Sequence, residues 1–185
     1  VSEADRTKWD ARYAGADYVF GSAPRAILGR APLRGHGRAL DVACGEGQNA
    51  VWLAERGYDV CGVDISPVAL AKARALAASR GVRVDFREVD LEGFVPDGIF
   101  DLIVCTHYLD RALFPRLEAA LAPDGVLVGE WPLTLRSFPV AKDEPLAWFP
   151  RLQVLLHEAD AEVVRLLAAG ARFVADATFL AGRPK

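Results

Sequence analysis

Between residues 38 and 131 the hydrophobic pattern switches repeatedly between two periods. Apolar runs of strand length occur at 38–43, 58–64, 82–86, 100–105 and 125–131, and the stretches between them space their apolar residues as helices do. The clearest helix follows Asp64: Ser66 can cap, Pro67 suits the first helical position, VALAKARALAAS has high helix propensity, and Gly81 stops it. A second helix is expected over about 47–56 with Gly57 at its end, and a third over about 113–121 before the turn Pro123-Asp124-Gly125. Strands that alternate with helices predict a parallel sheet, and right-handed crossovers line up the connecting loops on its carboxyl edge.

The flanks read differently. Residues 1–37 suggest one or two helices around an aromatic-rich turn, and 132–151 a proline-containing connection with a short helix near 144–148. Residues 152–157 read as a strand, 160–169 as a short helix ended by Gly170, and 172–181 as a last strand; 163–167 can alternatively be read as an antiparallel strand. The expectation is one α/β domain over 1–185, with a doubly wound, mostly parallel seven-stranded sheet under an N-terminal helical lid. Its parts are a lid segment at 1–37, a core at 38–131 and C-terminal strands in 132–185.

Composition narrows the classes. With 185 residues, 52% hydrophobic and 25% charged, the chain can bury a sizeable core and is not disordered. No apolar run approaches membrane-spanning length, and the first residues, VSEADRTKWD, are charged where a secretory signal is greasy; this reads as cytoplasmic, without a membrane partner. A net charge of −3 gives no general reason to expect nucleic acid. The densest basic stretch, Arg25, Arg30, Arg34, His36 and Arg38, lacks interleaved aromatics and reads as a solvated linker rather than a phosphate-binding patch. Cys44, Cys61 and Cys105 are far apart, which suits buried free thiols and no structural metal site. Nothing in the sequence fixes an oligomeric state.

The strongest local signal is LDVACGEGQNA at 40–50. A strand ends at Asp41, a loop of small residues follows, and a helix begins at once, so backbone N–H groups and the helix start face whatever binds there. The next strand ends in Asp64, placed to accept hydrogen bonds from both hydroxyls of a ribose. Val89-Asp90-Leu91 then puts another carboxylate on the same edge, suited to an exocyclic amine. Gly45-x-Gly47-x-x-Ala50 also matches a dinucleotide fingerprint, but the acid at Asp41 suits a cationic amino group, and the chain has no room for a hydride-transfer substrate domain.

Residues 38–131 resemble a class I S-adenosylmethionine-dependent methyltransferase, with DVACGEG as the first motif, GVDIS as the second, EVDLE as the third and FDLIVCTHYLD as the fourth. The resemblance implies a Rossmann-like methyltransferase fold with S-adenosyl-L-methionine as cofactor. Asp41 would support the methionine amino group, and the backbone of Ala43, Cys44, Gly45 and Gly47 would lie along the methionine moiety. Asp64 would hold the ribose, with Ile65, Asp90 and Leu91 at the adenine. Ala43 departs from the family's first glycine, and its Cβ would narrow the approach slightly. WDARYAGADYVFGSAP resembles the N-terminal segment of small-molecule methyltransferases of the tellurite-resistance and thiopurine group, which nominates Trp9, Tyr13 and Phe20 as a cofactor cover. Trp9 and Tyr13, four apart, fit equally well the buried stripe of a helix.

Cys105-Thr106-His107-Tyr108 falls where the family places residues beside the transferring methyl. His107 and Tyr108 are the candidate catalytic side chains, although methyl transfer demands no fixed one. A histidine in such a turn also serves simply in packing. Glu130 and Trp131 are candidates to line an acceptor pocket, and His157 reads as structural. With no large insertion, the acceptor is expected to be a small molecule through sulfur, oxygen, nitrogen or a metalloid. A non-catalytic S-adenosylmethionine-binding protein and an NAD-dependent oxidoreductase are the alternative readings.

Overall fold

The computed structural model describes residues 3–133 and 139–175. Seven strands form one sheet in the order β3-β2-β1-β4-β5-β7-β6. β1 (Arg38–Val42), β2 (Asp59–Asp64), β3 (Asp85–Glu88), β4 (Phe100–Thr106) and β5 (Leu121–Pro132) pair in parallel. β7 (Val163–Ala169) runs antiparallel between β5 and β6 (Gln153–Ala159). The helices are α1 (Glu3–Tyr13), α2 (Gln48–Ala54), α3 (Pro67–Ser79), α4 (Phe114–Ala120) and α5 (Pro145–Trp148), with a 3₁₀ turn at Ala26–Arg30. None of the described helices is long and apolar enough to cross a membrane.

The central strands are buried on both faces, which is why they read as continuous apolar runs. One core lies between the sheet and α2 and α3, around Leu53, Leu70 and Val104; the other lies under α4, around Phe114, Leu117 and Trp131. The α3 expectation holds in detail, since Ser66 Oγ accepts the Ala69 N–H at 3.1 Å and Pro67 opens the helix. Two boundaries move. β3 begins at Asp85 instead of 82, and β5 takes in the expected turn at Pro123-Asp124-Gly125, where its pairing with β4 shifts register between Phe100 and Leu102.

The C-terminal part corrects the sequence reading. The segment expected as a helix at 160–169 is β7, as the alternative reading of 163–167 as an antiparallel strand has it, because Val164, Leu166 and Ala168 fill the core on one face of the sheet and Leu167 and Ala169 that on the other. Residues 172–175 form no strand, and the rest of the expected strand at 172–181 lies outside the described residues. Most arginines of the basic stretch are engaged with the chain itself: Arg30 pairs with Glu158, Arg34 with Asp124 at 2.6 Å, and Arg38 donates to the carbonyls of Ile99 and Asp97.

Trp131 is fully buried, with its Nε1 donating to the Tyr108 carbonyl at 2.9 Å, and its ring lies over Gly129 two residues back on the same face of β5. A Cβ at Gly129 would stand 2.0 Å from that ring. Gly129→Ala is therefore expected to destabilise the fold by about 1–3 kcal/mol through overpacking, with altered tryptophan fluorescence. Urea unfolding checks this, and an unchanged midpoint would show that the ring moves aside freely.

Candidate functional site

The sheet order reverses between β1 and β4, and the loops leaving β1, β2, β3 and β4 meet there at the carboxyl edge. They line a cleft that is open to solvent. After β1 the chain turns sharply through Ala43 and Gly45, both near φ +53°, and Gly47 at +82°. Alanine in the left-handed region costs about 1–2 kcal/mol, so Ala43 holds a conformation that glycine would adopt freely. Gly45 lines the cleft, and a Cβ there would stand 3.0 Å from the Tyr13 hydroxyl. Gly47 faces the other way: a Cβ would stand 2.7 Å from the Ala73 Cβ, so it lets α2 approach α3 and does not line the cleft.

Asp64 lies at the cleft wall, where its Oδ2 accepts the Gly45 N–H at 2.8 Å and its Oδ1 the Ser66 N–H at 2.9 Å. A carboxylate has about four acceptor sites, so two remain for a ligand. Burial raises its pKa, and the backbone amides partly oppose that rise. Asp41, beneath the loop, is 1% exposed and does not itself line the cleft, and neither of its oxygens has a hydrogen-bond partner among the described residues. Burial drives its pKa up from 3.8 to about 8; the Ala50 amide and the Asn49 side chain temper the rise without making hydrogen bonds of normal geometry. Such an orphaned buried acid calls for a cation or a donor.

Trp9 stacks on Tyr13 with ring centroids 5.8 Å apart, Phe20 meets Tyr13 edge-on at 6.3 Å, and all three line the cleft. Tyr13 is at once a buried helix residue and part of the wall. A latch anchored on the buried Glu46 holds this segment over the loop: Lys72 Nζ bonds Glu46 at 2.9 Å and the Asp17 carbonyl at 2.7 Å.

Ile65, Leu91, Cys44, His107 and Tyr108 also line the cleft. Asp90 is exposed outside the lining, where its Oδ1 accepts the Glu92 N–H. Cys105 is fully buried beneath the sheet edge, with burial raising its thiol pKa, and Trp131 belongs to the core under α4; neither lines the cleft. His157 bonds the Lys142 carbonyl at 2.9 Å, far along the chain from these loops.

Arg25 and Asn49 are lining residues that escaped the sequence reading as site residues. Arg25, whose guanidinium has no carboxylate partner among the described residues, stacks against Phe20 at 5.8 Å. Asn49 accepts the Arg25 N–H at 2.9 Å and donates to Thr106 at 3.3 Å, tying the N-terminal segment, α2 and β4 together. The position of Asn49 in the first turn of α2 was the available signal.

The family model described as "Methyltransferase domain" matches residues 39–125. A ubiquinone biosynthesis O-methyltransferase from Methylobacterium sp. is 34% identical over 175 residues, covering 86% of this chain and 69% of that protein. A ribosomal protein L11 methyltransferase from Thermus thermophilus is 42% identical over 95 residues, covering 50% of this chain and 37% of that one. The chain thus spans 37% to 69% of the length of these curated relatives. Among solved structures, the N-methyltransferase NodS from Bradyrhizobium japonicum, in complex with S-adenosyl-L-homocysteine, superposes with a TM-score of 0.74 at 18% identity, over 89% of this chain and 97% of that one. With the first-motif loop on β1 and the acid ending β2 in place, the chain belongs to the class I methyltransferases, whose cofactor is S-adenosyl-L-methionine.

Proposed function

We propose that this chain transfers a methyl group from S-adenosyl-L-methionine to a small-molecule acceptor, as one domain closed by its N-terminal segment. The observation that carries the reading is the orphaned Asp41 carboxylate under a glycine-rich loop whose neighbour, Asp64, keeps two acceptor sites free. The donor set fits the cofactor: Asp41 suits the ammonium, Arg25 the carboxylate, Asp64 the ribose hydroxyls, and Ile65 and Leu91 the adenine. A dinucleotide offers no ammonium to Asp41.

Bound there, the cofactor supplies an electrophilic methyl on a sulfonium. The protein's part is to orient the acceptor, exclude water and hold any proton released. Trp9, Tyr13 and Phe20 present aromatic faces that stabilise a cation and keep water out. The aromatic cover supports a small acceptor, as does the O-methyltransferase of ubiquinone biosynthesis among the relatives; the ribosomal-protein relative matches over half of this chain.

Calorimetry with S-adenosylhomocysteine tests cofactor binding, and its release in the presence of small acceptors tests turnover. Binding of NADH without S-adenosylhomocysteine would overturn the reading, and binding without turnover of any acceptor would leave a cofactor-binding protein. The lid adds a separate expectation. Gly21, at φ +74° with open space around it, is a flexible point beyond Phe20. Cofactor should slow hydrogen exchange across residues 9–24, and removal of residues 1–22 should reduce turnover more than thermal stability. Equal exchange with and without cofactor would make the aromatics ordinary packing.

A further inference from the structure

We propose that His107, positioned by Glu130, is the general base that takes the proton from a neutral, weakly acidic hydroxyl acceptor such as a phenol. The inference rests on the reading of the cleft as a methyl-transfer site and adds to it the acceptor class and the residue that prepares it.

His107 follows the last residue of β4, and Glu130 stands opposite Thr106 on β5. The imidazole Nε2 lies 3.1 Å from Glu130 Oε1. The other carboxylate oxygen accepts Arg165 Nε at 2.9 Å, and Arg165 also bonds Asp160 at 2.9 Å. Burial alone would raise the pKa of Glu130, but the bonds from His107 and Arg165 outweigh it and hold Glu130 below the usual carboxylate range. An ionised carboxylate accepts, so it holds His107 as the Nε2–H tautomer and leaves the lone pair on Nδ1. His107 lines the cleft, and its Nδ1 makes no hydrogen bond among the described residues. Arg25, Glu46 and Asp64 are the charged groups that share that lining.

The backbone supports a functional reading of this position. His107 sits at φ +60°, a conformation unfavourable for a side-chain-bearing residue, and its N–H is tied to the Glu130 carbonyl at 2.8 Å. The turn alone does not call for histidine, since glycine would adopt it freely. The neighbouring Tyr108 is a poor base because burial raises the pKa of its phenol and keeps it protonated.

The step is a proton transfer. The acceptor O–H bond breaks, its electron pair stays on oxygen, and the proton joins Nδ1 to give an imidazolium balanced by Glu130. That proton then leaves to solvent. An acceptor that is already ionised has no need of the step. The sharp consequence is a dependence of the variant's defect on the acidity of the acceptor.

The experiment uses the full chain and has two arms. Long-range ¹⁵N NMR of the ring is expected to show the Nε2–H tautomer in the parent and a mixture in Glu130→Gln; an Nδ1–H tautomer in the parent would overturn the dyad regardless of turnover. In the second arm, methylation of phenol and of 4-nitrophenol is compared at mildly alkaline pH, where only the latter is largely ionised. His107→Asn keeps a residue that tolerates the left-handed turn and is expected to remain folded. It should lose about 10²–10⁴-fold of the rate with phenol, the usual contribution of a general base, and less than about tenfold with 4-nitrophenol. Equal losses with both acceptors would make His107 a packing residue and overturn the proposal. Methylation of neither phenol by a parent chain that methylates other acceptors would overturn the hydroxyl class, leaving the methyltransferase reading intact. Failure to bind S-adenosylhomocysteine would instead remove the methyltransferase reading, and the proposed base with it.

Discussion

Replacing Asp64 by alanine is expected to weaken S-adenosylhomocysteine binding by about 10²–10⁴-fold. A hydrogen bond to a charged acceptor is worth about 1.5–3 kcal/mol, and the two acceptor sites that Asp64 keeps free match the two hydroxyls of one ribose. The same carboxylate also ties Gly45 at the end of the glycine-rich loop to Ser66 at the start of α3. Alanine therefore strands two amides, and stability should fall by about 1–3 kcal/mol for each that water cannot reach. Asp64→Asn separates the two effects, because its carbonyl can still accept the Ser66 N–H while its amide nitrogen cannot accept from Gly45 or from a ribose. Calorimetry and thermal melts on both variants check the expectation. Unchanged affinity in a folded variant would remove Asp64 from the ribose site.

The second large effect concerns Asp41. Its pKa is about 8 in the folded chain against 3.8 for an ordinary aspartate, so the native state keeps a proton that the unfolded state releases. Stability from this group is fully present below the unfolded value and is lost as pH climbs through about 8, because ionising a buried, unpartnered carboxylate is costly. At 1.36 kcal/mol per pKa unit the loss is of the order of 6 kcal/mol. Without cofactor, Asp41→Asn should match the parent in acid and exceed it at alkaline pH, as urea unfolding across the pH range will show.

Cofactor should reverse the preference. An ammonium beside Asp41 stabilises the charged form, so binding near neutral pH is expected to expel about one proton. Calorimetry in two buffers of different ionisation enthalpy measures that proton. Asp41→Asn should release none and bind S-adenosylhomocysteine more weakly despite its more stable fold. The same proton release from both proteins would mean that Asp41 stays neutral and that the ammonium lies elsewhere.

Much of this was legible in the chain itself. The central strands are buried on both faces, so local hydrophobicity alone marks them, and Ser66, Pro67 and Gly81 mark α3 through backbone preferences that need no partner. The first-motif loop and Asp64 were readable for the same reason, since each sits where a strand gives way to a helix.

Other features were decided only in three dimensions. The segment 160–169 has three alanines and two leucines that favour a helix and two valines that favour a strand, and insertion between β5 and β6, which supplies hydrogen bonds on both sides, decides for β7. Cys105 and Thr106 are adjacent in sequence, but the two-residue period of a strand sends one side chain into the core and the other to the cleft. The bond between His107 and Glu130 joins residues 23 apart, and Arg165 reaches the same carboxylate from 35 residues further on. The sequence by itself determined the alternation of strands and helices from β1 to β5, the glycine-rich loop and the acids near the ends of β1 and β2, because these follow from interactions between residues near one another in the chain. Which acid was left without a partner, which histidine nitrogen was left open and which strand closed the sheet were decided by tertiary packing, because burial and long-range pairing exist only once distant segments meet.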